Sequence, residues 1–298
     1  MSKASGMLKD GCASYSWQVY SSVKVDITYE KRVIARVPET TETLDLQRNK
    51  FIRHIKSIGG LDQLPRLRKL YLNDNEIGKI DGLEQLPELT ALNLSRNRIK
   101  RIEGLDALAN LNWLNISQND TARIEGLTNL ENLGYLDLSN NKVKKLEGLK
   151  PLRSLNCIEM AYNQIELIEN IDHLENLTML FLSSNQISTI EGLEGLGLLK
   201  ILRIARNKLT RIEGLDKLVN LEEVALEHNR ITKIEYLDRL VNLQRLYLSH
   251  NEIRTFEGLD NLLSLKELWL DGNLNKKLGA YRTREAIDEA RRQFAELT

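Results

Sequence analysis

Cysteine is scarce: only Cys12 and Cys157 stand in 298 residues. Two thiols that far apart build neither a disulfide framework nor a tetrahedral metal site, which points to a reducing, intracellular compartment. Four prolines are too few for a disordered linker protein. Excess charge is missing as well: Lys+Arg and Asp+Glu number 42 each, which argues against a general binder of nucleic acid or anionic membrane. No run of 18 apolar residues occurs, and Lys3, Lys9 and Asp10 break up the N-terminal stretch. Neither a membrane span nor a signal-peptide core is therefore expected, and a cytoplasmic or nuclear location follows. Nucleotide-binding glycine loops and zinc-protease motifs are lacking too, so the expectation is no catalysis and no cofactor. Tripeptides such as Asn93-Leu-Ser95 and Asn119-Asp-Thr121 would accept glycans in a secretory pathway. Asn119, however, belongs to the buried series described next.

One asparagine recurs at positions 75, 97, 119, 141, 163, 185, 207, 229, 251 and 273, a period of 22 without exception. The frame around it is LxLxxNxI, as in Leu70-Tyr-Leu72-Asn-Asp-Asn75-Glu-Ile77. Asn49, after Leu44 and Leu46, starts the series one longer step earlier, and Val25-Asp-Ile27 is a candidate degenerate coil before it. Leu-x-Leu puts two side chains on one face of a short strand, because successive residues alternate sides. The asparagine stands where the chain leaves that strand, and its amide can satisfy backbone groups of its own and the neighbouring coil. In the remainder, Ile80-Asp-Gly82-Leu83-Glu-Gln-Leu86-Pro-Glu-Leu89, apolar residues recur every three positions. That spacing suits 3₁₀ turns better than an α-helix.

The prediction is a β-rich α/β solenoid with a parallel sheet inside the curve and 3₁₀ or extended arcs outside. At about 4.8 Å per strand the stack runs to roughly 50 Å. Residues 1–37 are expected to form an N-terminal β cap, 38–275 the repeats and 276–298 a C-terminal capping helix. The last places Ala286, Ile287, Ala290, Phe294 and Leu297 near one face, with Thr283 as N-cap.

This frame resembles the leucine-rich repeat family, which implies a horseshoe. The unit Ile-Glu-Gly-Leu at Ile102–Leu105, Ile124–Leu127, Ile190–Leu193 and Ile212–Leu215, with its 22-residue period, is similar to the subfamily typified by the leucine-rich regulatory subunit of protein phosphatase 1. Axonemal dynein light chain of leucine-rich type belongs to the same group. The resemblance implies a protein partner on the concave face, with a phosphatase-1 catalytic subunit as one identity and a cytoskeletal or axonemal assembly as another. A further likeness, at Val37-Pro-Glu-Thr-Thr-Glu-Thr-Leu44-Asp-Leu46, is to extracellular receptor-type repeats, although the cysteine cluster that precedes those is not here. A monomer is expected.

With the leucines turned inward, the residues between and beside them face the hollow. The central column carries Tyr71, Asp137, Glu159, Phe181, Arg203, Tyr247 and Trp269, and its flank carries Trp113, Tyr135, Glu223, Arg245 and Glu267. These twelve are the candidate partner-binding residues: Tyr, Trp and Arg dominate interface energies, and exposed aromatics usually have something to cover them. Tyr247 beside Trp269 and Trp113 beside Tyr135 are expected as neighbouring pairs, with an acidic ring of Glu223, Glu227, Glu267 and Asp271 at the distal one. Set beside the phosphatase-binding column, Asp137, Glu159, Phe181, Tyr247 and Trp269 match its character, and Arg203 and Ala225 interrupt it. His228 and His250 should meet on adjacent coils, yet two imidazoles make no metal site by themselves. The glutamate column from Glu103 to Glu257 reads as a solvated edge cross-paired with Lys and Arg.

Overall fold

The computed structural model describes residues 24–29, 32–47, 55–57 and 59–295. Cys12, Asn49, Leu297 and the Phe294 side chain lie outside that description. Two short strands, β1 (Lys24–Tyr29) and β2 (Arg32–Pro38), pair antiparallel as a hairpin of their own. Val25-Asp-Ile27 is thus hairpin and not a degenerate coil. Ala35 and Val37 of β2 join the leucine core.

The second sheet has twelve strands. Eleven are three-residue parallel strands: β3 (Thr43–Asp45), β4 (Lys69–Tyr71), β5 (Ala91–Asn93), β6 (Trp113–Asn115), β7 (Tyr135–Asp137), β8 (Cys157–Glu159), β9 (Met179–Phe181), β10 (Ile201–Arg203), β11 (Glu223–Ala225), β12 (Arg245–Tyr247) and β13 (Glu267–Trp269). From β4 onward each pairs with the next in a register of 22 residues, so equivalent side chains lie side by side. The middle residue of every strand is buried. A parallel leucine-rich repeat solenoid, with little helix, is the result.

Behind the sheet the leucines form one continuous core. The outer arcs, written in threes, close as successive turns: Leu86 N–H donates to Leu83 O and Leu89 N–H to Leu86 O, both at 3.1 Å. A full 3₁₀ helix occurs at Leu61–Gln63. The recurring asparagine is buried in every coil from Asn75 to Asn273. Asn163 is representative: its Nδ2 donates to Leu138 O of the preceding coil at 2.9 Å and to Met160 O of its own at 3.1 Å. Its Oδ1 accepts from Val143 N–H at 3.0 Å. One amide therefore satisfies groups of two coils that would otherwise be buried unpaired.

The residue before each ladder asparagine is left-handed, with φ of 54–59° from Asp74 to His250. Non-glycine residues rarely accept this conformation. Here each is held by its own N–H, as when Arg206 N–H donates to Glu227 O of the next coil at 2.7 Å. A second left-handed column, in the outer arcs, is glycine at most coils, since a Cβ at Gly104 or Gly258 would collide with the carbonyl of Ile80 or Ile234. Asn170 and Tyr236 are the exceptions.

At the C-terminal end the chain does not enter a helix at residue 276. It turns and adds β14 (Ala280–Tyr281) antiparallel to β13, and only then forms α1 (Arg284–Ala295). Thr283 Oγ1 accepts from Ala286 N–H at 3.2 Å, the expected N-cap. Ile287 and Ala290 are buried, and Arg284 donates to the carbonyls of Leu262 and Leu263.

Candidate functional site

In each parallel strand the leucine, isoleucine or valine goes inward, so the residues on either side of it emerge on the hollow face. All twelve candidate residues sit at those positions. The register brings Trp113 and Tyr135 together as a stacked pair, centroids 5.4 Å apart and planes within 5°. Tyr247 and Trp269 form a looser, tilted pair at 6.2 Å. Arg282, beyond β14, covers the other side of Trp269 at 4.7 Å from the ring. Nothing in the repeat pattern signals that contact, because Arg282 lies outside the repeats.

The distal charges are largely engaged with one another. Glu223, 5% exposed, is clamped between Arg203 and Arg245, at 2.6 and 2.8 Å. Burial pushes the Glu223 carboxyl up, but the hydrogen bonds from Arg245 and Arg203 outweigh it and hold the group below its ordinary value. Arg203 also lies over the Phe181 ring, 5.2 Å from its centroid. Arg203 therefore breaks the acidic column in sequence but joins Phe181 to Glu223 in space. Ser249 donates to Asp271 at 2.6 Å, and the Tyr247 hydroxyl lies 3.5 Å from a Glu267 oxygen. Burial pushes the Glu227 carboxyl up, and its Oε2, like the Trp269 Nε1, is buried without a hydrogen-bond partner.

In the middle of the hollow the arrangement differs. Asp137 and Glu159 are register partners on β7 and β8. Asp137 Oδ1 accepts from Ser139 N–H at 2.8 Å, and Glu159 Oε1 from the Tyr135 hydroxyl at 2.9 Å. Among the described residues neither carboxylate is in an ion pair. Their field reaches their neighbours: burial first, then Glu159 and Asp137, push the Cys157 thiol up to about 12. The same burial and carboxylates push up the Tyr135 hydroxyl.

Beside this pair runs a row that the list of twelve candidates does not contain as a whole. Trp113, Tyr135, Cys157, Met179 and Ile201 are register neighbours on five consecutive strands. Stepping through the sequence by 22 from Trp113 exposes it. Tyr71 lies apart, near the N-terminal end of the sheet on β4.

At the rim, His228 and His250 stack at 4.4 Å, and Arg206 Nη2 lies 3.3 Å from His228 Nε2. No group of three or more metal-ligating side chains is gathered among the described residues. On the outer edge Arg101 reaches Glu125 and Arg211 reaches Glu235 of the next coil, the expected cross-pairing. A second, unforeseen amide ladder runs there: Asn110, Asn132, Asn176, Asn220 and Asn242 each donate to a carbonyl of the preceding coil. No described helix is long and apolar enough to cross a membrane.

The family of leucine-rich repeats (two copies) matches residues 65–107 and 241–282. The chain has the leucine-rich repeat fold. Solved leucine-rich repeat structures agree with that assignment. Internalin F of Listeria monocytogenes is 28% identical, with a TM-score of 0.69, over 74% of this chain and 66% of that one. Internalin C2 of the same organism is 26% identical, with a TM-score of 0.55, over 73% of this chain and 85% of that one. TLR13, solved in complex with ssRNA13, is 25% identical with a TM-score of 0.61, over 77% of this chain. The chain thus spans just under two thirds of the internalin F chain and 39% of the TLR13 chain. No curated protein matches it. Leucine-rich repeat proteins generally mediate protein–protein interaction, and the phosphatase subfamily is a finer assignment than these matches make.

Proposed function

We propose that the hollow face docks another protein and that the chain itself is not catalytic. The observation that carries this reading is the set of aromatic and charged side chains in register on a sheet whose leucines already satisfy the core. Repetition demands nothing of those positions, yet they hold two ring pairs and an arginine–glutamate–arginine clamp. Large rings and guanidinium groups fixed in advance lose little freedom on binding.

The finer reading is a phosphatase-1 catalytic subunit as the partner. It rests on the resemblance in period and in the Ile-Glu-Gly-Leu unit, and on Asp137, Glu159, Phe181, Tyr247 and Trp269 sharing one column. Co-elution of the purified protein with that subunit, together with a change in phosphatase activity, is the expected result. Absence of a complex at micromolar concentration removes this partner. Replacing Tyr247 and Trp269 together by Ala should weaken the partner's affinity about tenfold or more. The variant's unfolding midpoint should stay close to that of the parent protein. If it falls steeply instead, the rings hold the fold and the hollow face loses its distal anchor.

A further inference from the structure

Docking on the hollow face leaves open which part of it a partner enters and what that partner carries there. At the distal end Glu223 is neutralised by Arg203 and Arg245 and Asp271 is bonded to Ser249, while Glu227 keeps one buried oxygen without a partner. The centre holds two neighbouring carboxylates with no arginine between them. Asp137 is 7% exposed, and Glu159 stands beside it on the next strand; no cation pairs with either among the described residues. Each holds one neutral hydrogen bond, Asp137 from Ser139 N–H and Glu159 from the Tyr135 hydroxyl, and a positive group between them would supply the charge partner that both lack.

Alongside lies the apolar row Trp113, Tyr135, Cys157, Met179, Ile201, half-buried except at Cys157, which is 2% exposed. Five rungs at about 4.8 Å cover roughly 19 Å. An amphipathic helix repeats its apolar face about every 3.5 residues, or about 5.3 Å of axis, close to the rung spacing. An extended strand repeats the same face at about 6.8 Å and falls out of step within three rungs.

We propose that the centre of the hollow, β6 to β10, receives an amphipathic helix of a partner protein, whose apolar stripe lies along Trp113–Ile201 and whose one lysine or arginine enters between Asp137 and Glu159. This rests on the docking reading above and adds to it the partner's secondary structure, charge and position. The half-buried residues of the row supply area, and the acid pair fixes register, since a helix displaced by one rung leaves its cation with one carboxylate in place of two, beside Phe181 or Asn115.

The test uses the full chain and a fluorescein-labelled helical peptide of roughly 18 residues, with leucines at i, i+4, i+7 and i+11 and one arginine between the two middle leucines. Twin peptides carry glutamine or glutamate in place of that arginine. The arginine peptide should bind about tenfold or more tightly than the glutamate twin. In the Asp137→Asn/Glu159→Gln variant that preference should vanish while the unfolding midpoint is kept, because the two amides retain the acceptor oxygens of the carboxylates they replace. Met179→Asp should weaken all three peptides. No binding at about 1 mM, or equal binding of the three peptides, overturns the proposal. Hydrogen exchange of the complex separates the central site from hollow-face docking in general. Protection confined to β11–β13 sinks the central site and leaves hollow-face docking in place, whereas protection only on the outer arcs sinks both.

Discussion

At the scale of single residues, the asparagine ladder and the Glu223 clamp make opposite demands on the chain. Asn163 serves the fold: replacing it by Ala removes an amide that satisfies Leu138, Met160 and Val143. We expect a loss of about 1–3 kcal/mol in denaturant unfolding, with docking by the folded fraction retained. Glu223 offers a pH test. Its folded pKa lies below its ordinary value of 4.5, so the clamp's contribution is fully present above that value and is lost as pH falls through the folded one. In urea titrations the parent protein should therefore exceed Glu223→Gln in stability at neutral pH, and the gap should close in acid. A constant gap would mean that the carboxylate charge is irrelevant. The ladder is legible in the sequence because a period of 22 marks it in every coil. The clamp is not: the period puts Arg245 beside Glu223 but Arg203 beside Ala225, and that the carboxylate is buried and shared between the two depends on side-chain reach, which spacing does not give. The same applies to Arg282 on Trp269.

Among elements, the three-residue strands and outer turns follow directly from the LxLxxNxI frame and the apolar triplets, since each repeat restates the same physical demand. The ends carry no such redundancy. Alternation marks the hairpin β1–β2 as β structure, but its antiparallel pairing and its separation from the main sheet need tertiary knowledge. Likewise, Thr283 is recognisable as an N-cap, while β14 is a two-residue strand with no periodicity to announce it. Helix α1 closes the last leucine layer through Ile287 and Ala290. Ile287→Ala should cost about 2–5 kcal/mol locally. Because stability in a repeat stack is a sum of neighbour terms, the loss should appear as faster hydrogen exchange in β12, β13 and α1 before it reaches β5. Uniform acceleration along the chain would show that the stack unfolds as one unit.

For the whole molecule, the constant 22-residue register makes coils interchangeable in their backbone and distinct only in what they display. Excising residues 187–208, one full period, should leave a folded protein shorter by about 5 Å, as small-angle scattering would read. Excising 11 residues should not, because half a period turns leucines outward and carries the ladder amide away from its carbonyls. If both deletions fold equally well, the repeat is not the unit of construction. Hydrophobic spacing is enough to foresee this architecture, whereas what the hollow binds depends on the least repetitive residues, for which the period provides only addresses.

Those addresses have a metric. Tyr135 and Tyr247 lie five coils apart, so the two ring pairs are held roughly 24 Å from each other, and that interval can change only by a whole notch, never by a fraction. A partner that touches both is gauged against a ruler with fixed graduations. Its own two contact points must match the scale, and evolution can retune the fit only by gaining or losing an entire graduation or by moving a ring to the next mark.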